Sequence, residues 1–576
     1  MLDTAATPLL TTPRWTDADH PLWTWLLRAC AAAMVLPLWS TAHLPFTDLP
    51  QHVAAIGTLR HWWDPAWRSQ EYFTLALGQT QYLLYYLVGA VLAFPLGTAE
   101  RANLVLLSLT AVAFPYSLRA LLRALKLDQR LALFAGTLFW SQALLIGFFN
   151  YVSAMPLMLW ALALAVEDAQ ARSRRTEIWL AVAAVLLFYL HLSAFLWFAP
   201  AAALASIALP RFAPVREWPR RLFWLTPVVL LSLLWLLRSP VVHPQSVGWH
   251  QPMTVSFEEP ATALRNIFDA LLDIWRGPQD EWCLLALVAS ALLLAWPQRR
   301  ETDEAAWQRG LAAAWLAFAA LLYFAFPISI GWMWQLNERY ALVCALVAPL
   351  LLRPGRGLRG AVPLLLVAAT SLFAAGNALV QVRAFDEQVG PFDRVLSYAQ
   401  PGRRMIGMIF DQNSPTAKFS PFLHFQSYYR ARMGGISSFS FAELPQSPLR
   451  YRPETAPPAK PAGWEWHANA FRNDIDGLYY DYVLVTATSI HSPTARPARP
   501  GTCLTAKAPG LSTKRTERRP HRRGADHLTR TGSQLHNTLI LRRPATPPAK
   551  HKQSTSSRAG AWQLAVHTAK RATGTV

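Results

Sequence analysis

Asp48 stands just beyond the first apolar run of the chain, in the segment HLPFTDLPQHVAAIGTLRHWW, where its carboxylate could accept the proton of a hydroxyl group. It could equally cap a helix, since Asp is a preferred N-cap and Pro50 suits a first helical turn. The two uses are compatible, because a cap also fixes the carboxylate. Gln51 and His52 follow directly. His52 is four residues on from Asp48, so the two share a helical face and the carboxylate could orient the imidazole; the alternative is a surface histidine at headgroup level. His43 and His61 lie in the same loop, but they complete no triad with standard zinc spacing. Asn150 sits between two apolar runs, where it can begin a helix or bond a polar ligand. His191 lies inside an apolar run, a costly place for an ionisable group and often a functional one, although a neighbouring helix can satisfy a neutral imidazole. Glu338 and Arg339 open a late apolar run. The planar fork of an arginine suits phosphate, and the alternatives are a local Glu338–Arg339 contact or snorkelling.

These residues need elements to hold them, and the composition says which kind. The chain has 576 residues, 53% of them hydrophobic and 15% charged. A soluble domain carries about 25% charged residues, so a single soluble globule is excluded and a polytopic membrane protein is expected. Runs of suitable length and apolarity lie at 22–39, 80–97, 103–122, 131–148, 151–167, 178–192, 193–209, 222–238, 281–297, 310–328, 339–353 and 361–381, or eleven spans if 178–209 is one long helix. Lipid leaves backbone groups no water partner, so these are helices. Arginine clusters at 172–175, 211–221, 299–309 and 353–359 mark the cytoplasmic side. The basic stretch 119–130 has the same character, yet strict alternation puts it outside if 80–97 and 103–122 both span.

Residues 1–21 read as a short cytoplasmic leader, without the basic start and cleavage site of a removed signal. The transmembrane module is then 22–383, with outer loops at 40–79 and 239–280. The sequence from Gln51 to Trp63 reads as an amphipathic helix on the membrane surface, anchored by Trp62 and Trp63. Residues 384–490 read as a small extracytoplasmic α/β domain, with strand signals at 405–410 and 479–485. Residues 491–576 contain no Phe or Tyr, and they hold 17 Lys+Arg against 2 Asp+Glu. That composition cannot bury a core and reads as a disordered basic tail. It carries fifteen of the chain's net charge of +20. The abrupt shift is also what a frame-shifted or extended reading frame produces, which the mass of the mature C-terminus would decide. The four cysteines, Cys30, Cys283, Cys344 and Cys503, form no CxxC pair. No convincing P-loop, dinucleotide, HExxH or GxSxG fingerprint occurs, which leaves cytosolic nucleotide chemistry unsupported.

A long polytopic chain with an acidic residue just after the first span resembles the GT-C superfamily of membrane glycosyltransferases. The segments DLPQH (48–52), GFFNYVSAMPLMLWALAL (147–164), LHLSAF (190–195) and NERY (337–340) carry the resemblance, which covers roughly residues 20–490. It implies a lipid-phosphate-linked sugar donor, Asp48 as catalytic base and Arg339 as the contact to the donor's phosphate. Trp249, Trp332, Trp334, Trp464 and Trp466 could then stack on sugar rings, the alternative for Trp332 and Trp334 being interfacial anchoring. One departure is plain. Many members pair two acids in the first loop, whereas Leu49 follows Asp48 here and the next acid is Asp64. Glu258, Glu259, Asp269, Asp273 and Asp280 in the later outer loop have no diagnostic spacing. No cofactor is therefore expected, and a divalent metal is unsupported.

The leading expectation is an integral glycosyltransferase of the bacterial inner membrane. It would move a sugar from a polyprenyl-phosphate donor to an extracytoplasmic glycan, lipid or protein acceptor. Its partners are the bilayer and those substrates, and not nucleic acid. Two alternatives stay open: a lipid or polymer transporter or flippase, and a non-catalytic membrane scaffold with an outer sensor domain. One cavity holding both Asp48 and Arg339 is the feature that separates the first reading from the others.

Overall fold

The computed structural model describes residues 14–78, 80–244, 252–295, 302–461, 463–487, 537–542 and 563–564. The chain is mainly helical. Its principal helices are α1 (Pro21–Val35), α2 (Leu49–Arg60), α3 (Leu84–Leu96), α4 (Ala99–Ala124), α5 (Phe149–Gln170), α6 (Arg174–Leu190), α7 (Leu192–Ala208), α8 (Thr226–Arg238), α9 (Gln279–Ala295), α10 (Asp303–Ala325), α11 (Arg339–Val347), α12 (Leu358–Val389) and α13 (Ser427–Met433). The strands are β1 (Phe73–Leu75), β2 (Val255–Ser256), β3 (Ser329–Ile330), β4 (Met333–Trp334), β5 (Arg404–Ile409), β6 (Ile436–Ser437), β7 (Leu449–Tyr451), β8 (Tyr482–Ala487), β9 (Asn537–Arg542) and β10 (Gln563–Leu564).

Five helices among the described residues are long and apolar enough to cross a membrane: Pro21–Trp39, α4, α5, α10 and α12, or six if the bent pair Val215–Arg221 and Phe223–Arg238 is one span. This is a multi-pass membrane protein. The other apolar runs are shorter or broken, and the breaks have local causes. The run 131–148 is not one span but three short pieces, Gln129–Leu133, Phe134–Thr137 and Gln142–Ile146, the last ending at Gly147 in a left-handed conformation. The stretch 178–209 is two helices. His191 takes an extended backbone between them, and its side chain accepts a hydrogen bond from the Ser193 N–H, which caps α7.

Helix α2 corrects the expectation of a surface helix. Every residue from Leu49 to Thr58 is buried, because α3 packs on one side and α13, from the C-terminal segment, on another. The approach to α13 is close enough that a Cβ on Gly57 would stand 2.7 Å from the Ala431 carbonyl oxygen. Strand β1 pairs antiparallel with β7, Phe73 opposite Tyr451. The segment around α2 and β1 and the C-terminal segment are therefore packed into one unit.

The boundary drawn at 383/384 falls inside α12, which runs on to Val389. Past that point it carries Asp386 to His43. The imidazole of His43 bonds Asp386 at 3.0 Å through Nδ1 and Asp393 at 3.1 Å through Nε2. Burial alone would lower this histidine's pKa, but the two carboxylates outweigh it and the net shift is upward. Both strand signals of the C-terminal segment appear, as β5 and β8, which pair in parallel. The sheet order is β10-β9-β8-β5-β6. Most of the basic tail lies outside the described residues. Within it, Asn537–Arg542 forms β9, which pairs antiparallel with β8.

Candidate active site

Asp48 is placed by a glycine. Its backbone N–H bonds the Ile146 carbonyl at 3.0 Å, and that of Thr47 bonds Leu145 at 3.0 Å. Gly147 lies against it with φ +104°, and a Cβ there would fall 2.6 Å from the Cβ of Asp48. Only glycine meets both demands. Asp48 occupies the N-cap position of α2, but its side chain makes no capping bond. The carboxylate faces His424 instead, Oδ1 to Nε2 at 3.3 Å.

His424 was missed in the sequence, and it displaces His52 from its expected role. His52 does not pair with Asp48. Its Nε2 donates to the Gly147 carbonyl at 2.7 Å, and its Nδ1 accepts from the Tyr86 hydroxyl at 3.0 Å. Both ring nitrogens are thus satisfied in the neutral form, and burial pushes its pKa down to about 4. His52 fastens the Gly147 turn. The ring of His424 stacks on Phe439, centroids 4.9 Å apart and planes 10° from parallel. The Phe439 carbonyl in turn accepts from Gln51 Nε2 at 2.6 Å. Gln51 therefore holds the loop under His424 and does not face the cavity.

Asp48, His52, Asn150, His191, Arg339 and His424 all line one cavity of about 540 Å³. Asn150 is buried in the first turn of α5, after the N-cap position at Phe148, so it does not begin that helix. Neither its amide nitrogen nor its oxygen has a hydrogen-bond partner among the described residues. Such a group costs about 1–3 kcal/mol if left unpaired, so it is suited to a ligand.

Arg339 reaches His191 Nε2 at 3.4 Å and the Trp334 carbonyl at 3.3 Å, and its guanidinium lies over Phe148 at 4.6 Å. The Tyr151 hydroxyl donates to the Arg339 carbonyl, which fixes the first turn of α11. The His191 contact is informative. Because Nδ1 accepts the Ser193 N–H, the neutral ring carries its proton on Nε2. Two donors, that N–H and the guanidinium, then converge, and the guanidinium nitrogen that meets the imidazole has only a long contact to the Ser193 hydroxyl, at 3.5 Å. That pairing suits an anion.

Glu338 does not join the cavity lining. It is half-buried beside Glu258, and burial together with that like charge pushes its carboxyl up to about 7. Asp64 is not the missing second acid either, since it pairs with His61 at 3.1 Å and accepts the Ala66 N–H. The same cavity is also lined by Trp332, Trp334, Trp464 and Trp466, together with Glu443 and Glu465. Trp249 lies outside the described residues.

Among the described residues the one acidic group arranged as a metal site is Asp273, Asp280 and Glu281. There Lys418 pairs with Asp273 and, at 3.4 Å, with Glu281. The Asp280 carboxylate accepts the backbone N–H groups of Ile274 and Trp275 at 2.8 Å each. None of these acids lines the cavity.

No family model matches the chain, and no curated protein matches it. Solved structures similar to it include the arabinofuranosyltransferase AftD from Mycobacteria, with 16% identity and a TM-score of 0.45 over 82% of this chain and 36% of that one. The oligosaccharyltransferase of Archaeoglobus fulgidus is similar at 13% identity and a TM-score of 0.38, over 80% of this chain and 67% of that one. ArnT from Cupriavidus metallidurans is similar at 13% identity and a TM-score of 0.37, over 81% of this chain and 92% of its own. Likeness at these scores leaves function to the site's own geometry.

Proposed function

We propose that the protein is a membrane glycosyltransferase that moves a sugar from a polyprenyl-phosphate donor to an extracytoplasmic acceptor at the outer face of the bacterial inner membrane. The observation that carries this reading is a cavity with a converging donor pair, His191 and Arg339, and a histidine-backed carboxylate, Asp48, on its lining. A lipid-linked phosphate brings negative charge that grows as the sugar departs. Arg339 and the His191 N–H supply donors for it, and Asn150 supplies an amide on the same lining.

Asp48 takes the proton of the acceptor hydroxyl as that oxygen attacks the anomeric carbon. The new carbon–oxygen bond forms while the bond to the phosphate oxygen breaks, and the lipid phosphate leaves with the electron pair. His424, whose Nε2 lies 3.3 Å from the carboxylate, holds Asp48 in the acceptor's path. No metal is needed for this proton balance.

The test is transfer from a panel of radiolabelled polyprenyl-phosphate sugars to envelope acceptors by purified protein. Wild type transfers from at least one donor, and Arg339→Ala raises the donor KM by about tenfold to a hundredfold, the loss of one or two charge-assisted bonds. Unchanged donor use by Arg339→Ala would sink the phosphate assignment.

A further inference from the structure

We propose that the acceptor is a carbohydrate and that it binds against the aromatic surface of the cavity formed by Trp334, Phe419 and Trp466; this rests on the transferase reading above. Three rings from three chain segments form one surface there. Trp334 of β4 stacks on Phe419 at 5.7 Å and 25°, and Phe419 meets Trp466 edge-on at 6.0 Å and 87°. All three line the cavity, and Trp334 and Trp466 remain 42% and 38% exposed. Interfacial anchors place their rings at headgroup level, facing lipid. These rings touch one another and continue into a cavity.

Two carboxylates lie on the same lining. Glu465 stands within electrostatic reach of Asp48 and His424, and Glu443 within reach of Glu465. One carboxylate oxygen of Glu465 is buried without a partner among the described residues. Flat apolar faces beside a carboxyl with an unpartnered oxygen, that of Glu465, match one ligand chemistry. A sugar ring offers a face of C–H groups and a rim of hydroxyl donors. A peptide acceptor would be read by backbone pairing along a strand edge, and the strand nearest, β4, is two residues long. A lipid acceptor would call for an unbroken apolar wall, which Glu443, Glu465 and Lys460 interrupt.

Ligand-observed saturation-transfer NMR on the full-length protein in detergent tests this without any transfer reaction. The probes are short gluco-, manno-, galacto- and arabino-oligosaccharides, with a short peptide mixture and a lysophospholipid as the other arms. At least one oligosaccharide is expected to bind through its ring C–H protons. Trp334→Ala with Trp466→Ala should weaken it about tenfold, while Trp334→Phe, which keeps a flat ring, retains it. The proposal is overturned if no oligosaccharide binds, if the double variant binds as well as wild type, or if peptide or lysolipid binding shows the same tryptophan dependence. Transfer to a lipid or peptide without sugar binding would defeat this proposal alone. Sugar binding by a protein that uses no donor would defeat the transferase reading and leave the carbohydrate wall.

Discussion

The cavity has two walls of different construction. One is carried by the helical bundle: Asn150 on α5, His191 between α6 and α7, and Arg339 at the start of α11. The other comes from the C-terminal segment, where His424 sits in a turn and Glu443, Trp464, Glu465 and Trp466 sit in two three-residue 3-10 helices. On the helical wall each polar residue interrupts an apolar run and stands out. On the C-terminal wall polar and aromatic residues are ordinary, and the partner of His424, Asp48, lies hundreds of positions away. Asp48 joins the two, since its backbone rests on the Gly147 turn and its carboxylate faces His424.

That division can be broken at its joint. Gly147→Ala puts a Cβ into Asp48 at a backbone conformation that alanine resists. It should destabilise the protein by about 2 kcal/mol and cut transfer about a hundredfold by moving the carboxylate. Chemical denaturation read beside transfer rates checks both effects. His424→Ala touches the C-terminal wall alone. It should lower kcat about ten- to a hundredfold with the donor KM unchanged, which steady-state kinetics would report. Asn150→Ala touches the helical wall alone and should do the reverse, raising the donor KM about tenfold or less while kcat holds. A fall in kcat from Asn150→Ala, or a rise in donor KM from His424→Ala, would merge the two walls into one function.

The smallest effect is on stability. Burial and the nearby charge of Glu465 push Glu443 up to about 7 from an ordinary 4.5. A carboxyl raised on folding stabilises fully below its unfolded pKa, and that contribution disappears as pH climbs through the folded value. Wild type should therefore lose stability between about pH 4.5 and 7, and Glu443→Gln should lose less over the same window. Denaturation midpoints across that range measure it.

Much of this was legible in the sequence, for physical reasons. Hydropathy marks helices because lipid allows no other open backbone, and it placed α1, α4, α5, α10 and α12. The two strands β5 and β8 stood out as aliphatic runs between turn residues. Asp48, Asn150, His191 and Arg339 were visible as polar groups at the ends or breaks of apolar runs, and the structure brings all four to one cavity. The rest depended on tertiary packing. The spacing of Asp48 and His52 allowed a shared face, but the Gly147 carbonyl and Tyr86 take the imidazole. The helix read as amphipathic is buried because a segment more than 350 positions later packs over it. His424 carried one local signal, a lone histidine in the Tyr/Phe-rich stretch 421–429, and nothing in that stretch says which carboxylate it meets.

The central claim is that Asp48, backed by His424, takes the acceptor's proton. The direct measurement is transfer by purified Asp48→Asn protein beside wild type, with folding checked by thermal denaturation. Asparagine keeps the shape and cannot accept the proton, so transfer should fall by about 10²–10⁴-fold with donor binding retained. Full transfer by correctly folded Asp48→Asn protein would contradict the account.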